Sequence, residues 1–291
     1  MNGIVIIDKP EGWTSHDVVG KLRGILREKR IGHGGTLDPM ATGVLPVFVG
    51  RATRAVEFCE NAVKEYVAHL RLGVVTDTQD TTGNILEERA HNVTEDDLVN
   101  ILPEFMGKQS QIPPMYSAVK VQGKKLYELA RKGVEIERKP REITIHSLAV
   151  IGKAEDGDYI LRVVCSKGTY IRTLCNDIGE RLGCGGCMSY LRRTAAGSYS
   201  LIDTVTLEQV QEAKENGTLE SILRPVDSVF AEFPAVNISG RAVSLCLNGN
   251  SFKMEDVTDG TYRVYDEEGK FLMLGQCENG VMSTIKSFFE V

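Results

Sequence analysis

The chain has 291 residues, 42% hydrophobic and 25% charged, with a formal net charge of −6. That composition excludes disordered, collagenous and small disulfide-stapled proteins, and the length suffices to bury a core without metals or cross-links. No apolar run approaches the roughly 18 residues of a membrane span. The apolar stretch at residues 4–7 is too short for a signal peptide, so a cytoplasmic protein is expected.

In chain order, residues 3–8 are rich in Ile and Val and read as a buried strand. Lys9-Pro10-Glu11-Gly12 is a turn. Thr14 and Asp17 have capping-box spacing, and Val18, Val19, Leu22, Ile25 and Leu26 recur at helical spacing, which predicts a helix over residues 15–29. A glycine-rich loop follows, Gly32-His33-Gly34-Gly35-Thr36-Leu37-Asp38-Pro39. Residues 44–49 are apolar and predict a strand. Tyr66, Ala68, Leu70 and Leu72 alternate with Val67, His69 and Arg71, a half-buried strand with Tyr66 on its apolar face. Residues 94–106 predict a capped helix, residues 111–120 with Pro113-Pro114 a loop, and residues 124–132 a short helix.

Strands are expected at 143–153 and 158–165 around the turn Glu155-Asp156-Gly157. Ile171, Leu174, Ile178 and Leu182 mark a helix over 169–182, and another is expected at 206–216. After Pro225 and Pro234 the pattern changes to short strands between Gly and Asn/Asp turns. A boundary near 229–234 is expected, with a small β-domain behind it. Strands and helices are interspersed without a regular βαβ series, so an α+β domain on a mixed or antiparallel sheet fits better than a doubly wound fold.

Charge is unevenly distributed. Residues 118–141 carry eight Lys or Arg (Lys120, Lys124, Lys125, Arg131, Lys132, Arg138, Lys139, Arg141) against three Glu, net +5, which leaves −11 for the rest. Such a segment on an acidic body is either a polyanion contact or a solvated helix face. The seven cysteines, an odd number without an export signal, read as reduced thiols. Cys184-Gly-Gly-Cys187 offers two ligands where zinc needs four, so a glycine turn that carries thiols is favoured over a metal or redox site.

The loop around Asp38 is the most informative stretch. Gly32, Gly34 and Gly35 let backbone approach a ligand with no Cβ in the way. Asp38 precedes Pro39, which holds it extended. A carboxylate there is a candidate nucleophile or base, or else a turn cap. The loop lacks the Gly-Lys-Ser/Thr ending of a P-loop. An ionised Asp would be supported by a nearby cation. Arg172 lies off the apolar stripe of its helix, free for a partner or simply a surface residue. Tyr66 is either a core tyrosine or a ring that stacks on a base. His33 has no second His or Cys nearby, which disfavours a metal.

Together these stretches carry a resemblance. Gly3-Ile4-Val5-Ile6-Ile7-Asp8-Lys9-Pro10 with Gly12, Thr14, Ser15 and His16 resembles the N-terminal motif of the bacterial tRNA pseudouridine-55 synthase family. The loop Gly32–Pro39 with Ala41-Thr42-Gly43 is similar to its catalytic-aspartate motif, and Lys64-Glu65-Tyr66 to its Lys-x-Tyr motif. Thr76-Asp77-Thr78-Gln79-Asp80 with Gly83 also matches. So does Pro113-Pro114-Met115-Tyr116-Ser117-Ala118 with Lys120, Gly123, Leu126, Tyr127, Ala130, Arg131 and Gly133. Gly168-Thr169-Tyr170-Ile171-Arg172 and Leu191-Arg192-Arg193 complete the set. The resemblance runs in consistent order from residue 3 to about residue 230.

It implies an isomerase. One uridine in the T-arm of tRNA is flipped out of its stack, its N1–C1′ bond is broken, and the sugar is rejoined to C5. The resemblance assigns the nucleophile to Asp38, the tyrosine that stacks on the target base and helps remove the C5 proton to Tyr66, and the partner of the aspartate to Arg172. It assigns substrate-pocket positions to His33, Tyr170 and Leu191, and RNA contacts to Lys9, Lys64, Lys120, Lys124 and Arg131. The fold it implies is α+β: a catalytic domain over 1–228 on a mixed, mainly antiparallel sheet flanked by helices, and a small PUA-like, β-barrel-like domain over 229–291. The basic stretch at about 110–141 becomes an RNA-clamping insertion. No cofactor and no metal are expected. The expected partner is tRNA, with no membrane, no obligate protein partner and a monomeric state. Two features depart from the family pattern: the Cys184/Cys187 pair, and a C-terminal region with five Lys or Arg against nine Asp or Glu. Rival readings are a non-catalytic tRNA-folding chaperone on the same fold, and a nucleotide-dependent transferase using the glycine loop.

Overall fold

A computed structural model describes residues 1–117, 119–121 and 123–289. Ala118 of the Pro113–Ala118 motif, the side chain of Lys125 and the end of the expected C-terminal domain lie outside the described residues.

The chain opens with strand β1 (Gly3–Lys9), helix α1 (Ser15–Leu26), and strands β2 (Ile31–His33) and β3 (Thr42–Val49). Helix α2 (Val56–Glu60) leads to β4 (Lys64–Leu72) and a hairpin of β5 (Val74–Thr76) and β6 (Ile85–Glu88). Then come α3 (Glu95–Ile101), β7 (Gly107–Gln111), β8 (Lys120–Val121), β9 (Lys124–Lys125), α4 (Leu126–Ala130), β10 (Arg141–Lys153) and β11 (Tyr159–Cys165). Helix α5 (Ile171–Arg181), β12 (Gly186–Ala196), β13 (Tyr199–Ser200) and α6 (Leu207–Glu215) follow. The tail holds β14 (Ala235–Asn237), α7 (Gly240–Leu247), β15 (Phe252–Lys253), β16 (Gly260–Tyr265), β17 (Phe271–Glu278) and β18 (Val281–Ser287).

The fold is α+β, as the alternation of elements predicts. A nine-stranded sheet runs β1-β3-β12-β4-β11-β10-β7, with β2 on β3 and β13 on β12. Its pairs are antiparallel except β3 with β12. A five-stranded sheet, β14-β16-β17-β18-β15, forms the tail. No helix among the described residues is long and apolar enough to cross a membrane.

Several element ends differ from the sequence pattern. Helix α1 stops at Leu26 rather than at 29, because Arg27 turns left-handed (φ 54°) and sends the chain back toward β2. The first residues of the glycine loop are strand, because Gly32 and His33 pair with Phe48 and Val47 of β3. Beyond Ile101 the expected long helix tightens into a 3₁₀ turn over Leu102–Phe105, with Pro103 unable to donate. The helix expected at 124–132 shortens to α4, because Lys124 and Lys125 close a hairpin on Val121 and Lys120. Helix α7 in the tail had no clear signal.

Side chains alternate across the nine-stranded sheet as a period of two requires. Val5, Ile7, Leu45, Val47, Tyr66, Ala68, Leu161 and Val163 pack with α1, α5 and α6 on one face. Ile4, Ile6, Val44 and Phe48 point to the other, where Phe230, Leu274 and Phe288 cover them. The small sheet therefore shares a core with the large one.

Candidate active site

The loop between β2 and β3 is held from beneath at several points. The Ser15 hydroxyl, buried at the start of α1, accepts from Leu37 N at 2.9 Å and donates to Leu37 O at 3.2 Å. Lys9, fully buried, donates to Pro10 O (2.8 Å), Trp13 O (2.5 Å) and Pro39 O (3.2 Å). Gly12 N donates to the same Pro39 carbonyl at 2.8 Å, and Ala41 N to Asp38 O at 3.0 Å. The glycines serve close packing. A Cβ on Gly34 would lie 2.9 Å from Cys59 Sγ and from Phe48, and Gly35 holds φ +113°. A reactive group on such a loop is preorganised.

Asp38 stands on this loop with its side chain 39% exposed, and its Oδ2 lies 3.0 Å from Arg172 Nη2. Arg172 is not the free surface side chain its helix position suggests. It sits in the first turn of α5 at 5% side-chain exposure, and its Nη1 lies 3.6 Å from Asp80 Oδ2. It also donates to Thr78 O at 3.1 Å and to Tyr116 O at 2.7 Å. Removing a guanidinium from water is costly unless it is paired; here two carboxylates and two carbonyls surround it. Asp80 is itself tied down, its Oδ1 accepting from Thr78 Oγ1 (2.8 Å) and Thr82 N (3.0 Å).

Tyr66 lies in β4 directly opposite Arg193 of β12, and Ala68 opposite Leu191, all on the same face of the sheet. Tyr66 is 9% exposed and Leu191 6%. Burial pushes the Tyr66 phenol up, while the charge of the nearby Arg193 guanidinium pulls the other way. Arg193 is 1% exposed and donates to Val44 O (2.7 Å) and Gly35 O (3.1 Å), linking the loop, β3 and Tyr66. Tyr170, the N-cap of α5, stands two residues before Arg172. His33 ends β2, and its ring meets His16 edge-on at 5.3 Å. Burial, with help from His16 and Arg193, pulls its imidazole down to about 4, and its Nδ1 has no partner among the described residues.

The structure thus pairs Asp38 with Arg172 and sets Tyr66, Leu191 and His33 around Arg193, while Tyr170 is fixed through its backbone at the start of α5. Lys9 and Lys64, expected as RNA contacts, are instead buried beneath the loop, their ammonium groups taken up by backbone carbonyls. Burial pulls Lys9 down to about 8, against the Asp38 carboxylate, and Lys64, 6% exposed, donates to Glu60 O. Lys120, Lys124 and Arg131 are exposed on the β8–β9 hairpin and after α4, outside the hydrogen-bonded cluster around Asp38. Arg131 lies over the Tyr127 ring at 5.5 Å. Asp80 and Arg193 were not among the expected site residues. Their signals were an Asp amid threonines and an Arg two residues from Leu191 on the inward side of a strand. No group of three or more His, Cys, Asp or Glu among the described residues could hold a metal. Cys184 is a buried thiol in a turn where Gly183 and Gly185 hold positive φ, and Cys187 is a buried thiol at the start of β12, which burial pushes up to about 11.

Comparison with known proteins gives the chain a family. Residues 23–171 match the N-terminal domain of the TruB family of pseudouridylate synthases. Residues 172–231 match the tRNA pseudouridylate synthase B C-terminal domain. The tRNA pseudouridine synthase B of Clostridium kluyveri is 44% identical over 99% of this chain and 100% of its own length. That of Bacillus cereus is 44% identical over 94% of this chain and 92% of its own. Among solved structures, a Cbf5-Nop10-Gar1 complex contains a chain that is 29% identical with a TM-score of 0.75, covering 99% of this chain and 85% of that one. An H/ACA RNP bound to a substrate RNA containing 2′-deoxyuridine gives 26% and 0.74 over the same shares. The chain belongs to the TruB family and is an isomerase that forms pseudouridine in tRNA.

Proposed function

We propose that the target is uridine 55 in the T-arm, and that Asp38 is the nucleophile of a cofactor-free isomerisation. The carrying observation is the half-exposed Asp38 carboxylate held 3.0 Å from the buried Arg172 on a preorganised loop. The guanidinium pairs with the carboxylate and orients it. The flipped uridine enters above the loop, on the side of the Asp38 carboxylate, while Gly34 lets the loop pack down on Cys59 and Phe48. Tyr66 stacks on the base. With Arg193 at its phenol, it is the group placed to assist loss of the C5 proton. His33, neutral at pH 7, Tyr170 and Leu191 line the pocket. Lys9 and Lys64 support it from below through backbone carbonyls.

Residues 1–228 carry the chemistry in this reading. The segment at about 110–141 clamps the RNA through Lys120, Lys124 and Arg131, which lie in solvent where phosphates can reach them. Residues 229–291 form a PUA-like unit. The enzyme acts as a cytoplasmic monomer without a protein partner.

The test is tritium release from tRNA carrying 5-tritiated uridine, without added cofactor, followed by mapping of the modified position. One tritium per tRNA from uridine 55 is expected from wild type, with no release by Asp38→Asn. Release by a folded Asp38→Asn variant would remove Asp38 from the nucleophile's role. Pseudouridine mapped elsewhere would refute the site.

A further inference from the structure

Helix α5 carries Arg172 in its first turn, yet its N-cap residue, Tyr170, caps it with no side-chain hydrogen bond. The first N–H groups of a helix have no partner within it and must find one elsewhere. At Tyr170 that partner is Gln111, the last residue of β7. Gln111 Oε1 accepts from Tyr170 N at 2.8 Å, and Gln111 Nε2 donates to Tyr170 O at 3.0 Å. That carbonyl also accepts the first helical bond, from Leu174 N at 3.1 Å. The amide is 6% exposed, so both bonds form away from water, where an unmade one is costly. An amide offers a donor and an acceptor side by side without depending on a proton that pH can remove.

Gln111 is also the point where β7 gives way to the basic segment. Five residues on, Tyr116 O accepts from Arg172 Nη2 at 2.7 Å. The stretch 111–116 therefore grips α5 twice. One grip is on the backbone at its start, and the other is on the guanidinium that meets Asp38.

We propose that Gln111 is a positioning residue for the isomerisation. Its amide locks the first turn of α5, and with it the direction from which Arg172 reaches Asp38, to the root of the segment that holds the RNA. RNA seated on that segment is thereby presented to a carboxylate already aimed. The inference rests on the reading of Asp38 and Arg172 as the reacting pair.

The test uses the full chain and two variants, Gln111→Met, which keeps length and loses both bonds, and Gln111→Glu. Single-turnover tritium release at saturating enzyme, tRNA affinity and thermal melting are measured for each. Gln111→Met is expected to lose about tenfold in single-turnover rate, the scale of a small misalignment of a reacting group. Its tRNA affinity should stay within about twofold of wild type and its melt should remain cooperative. In Gln111→Glu, a protonated carboxyl reproduces the amide pattern and a carboxylate does not. Burial raises that carboxyl, so the ratio of its rate to wild type should fall between about pH 6 and about pH 9. A residue that only fills space would not move that ratio, and the ratio alone decides if Gln111→Met does not fold. Wild-type rates in Gln111→Met, a flat ratio in Gln111→Glu, or a rate loss matched by an equal loss of tRNA affinity would overturn the proposal. Asp38→Asn, run alongside, separates this from the underlying reading: release retained there sinks the Asp38 assignment whatever Gln111 does.

Discussion

A carboxylate that attacks a base or a sugar has to stay ionised in surroundings that are partly dry. Arg172 gives Asp38 a fixed cationic partner because it is itself held by Asp80, Thr78 O and Tyr116 O. Asp38 could be singled out from its glycines and the following proline, all local features. The burial of Arg172 could not, since its partners come from loops far away in sequence, and helical spacing alone places it on a polar face. His33 shows the same limit. Nothing in Gly32-His33-Gly34 tells that its ring is packed against His16 with an Nδ1 that finds no partner among the described residues. This burial has a pH consequence. Between about pH 6.5 and about pH 4 the unfolded chain takes up a proton that the folded imidazole refuses, so stability falls as pH is lowered through that window. His33→Gln should remove this part of the acid sensitivity, up to about 2 kcal/mol near pH 5. Urea unfolding of both proteins at about pH 7 and pH 5 checks it; equal losses in the two would show that His33 titrates normally in the fold.

At the level of elements, the capped helices were the most legible. Thr14 with Asp17, Thr94 with Asp97 and Thr206 with Gln209 each form the reciprocal box their spacing announces. The short strands were not, because β2, β8 and β9 exist only through their pairing partners. The crossing of β3 and β12, the parallel step beside the site, depends on one glycine. Gly43 holds φ +100°, and a Cβ there would lie 2.2 Å from Arg193 O. Gly43→Ala should therefore both strain the backbone and push away the strand that carries Arg193 and Leu191. A loss of about 3 kcal/mol or more is expected, and a denaturant midpoint near that of wild type would contradict the crossing as described. The β8–β9 hairpin was legible as charge but not as shape. Lys120→Glu with Lys124→Glu should weaken tRNA binding and flatten its dependence on log salt by about one to two, while bound RNA still reacts. An unchanged slope would take the hairpin out of the interface.

At the scale of the whole molecule, the acidic balance of the tail raises the question of what the small sheet contributes. Its sequence shows a change of pattern near 229–234 and suggests a separable unit. The packing shows a shared core, in which Phe230, Leu274 and Phe288 close over Ile4, Ile6, Val44 and Phe48 of the large sheet. A sequence cannot reveal this readily, because alternation in β1 and β3 leaves open what covers the second face. Burying a large apolar side chain is worth about 1.5–3 kcal/mol. Even half of that for each of the four uncovered residues is on the order of 3–6 kcal/mol. That is comparable with the net stability of a whole domain, about 5–15 kcal/mol. A fragment ending at residue 228 should accordingly lose its cooperative melt or aggregate through the exposed face, and its loss of activity should follow its loss of folded protein. Expression of the fragment beside the full chain, with melting by circular dichroism and size-exclusion chromatography, distinguishes the two roles. A soluble fragment that melts like the full chain but binds tRNA more weakly would make the small sheet an RNA contact and not a wall of the core.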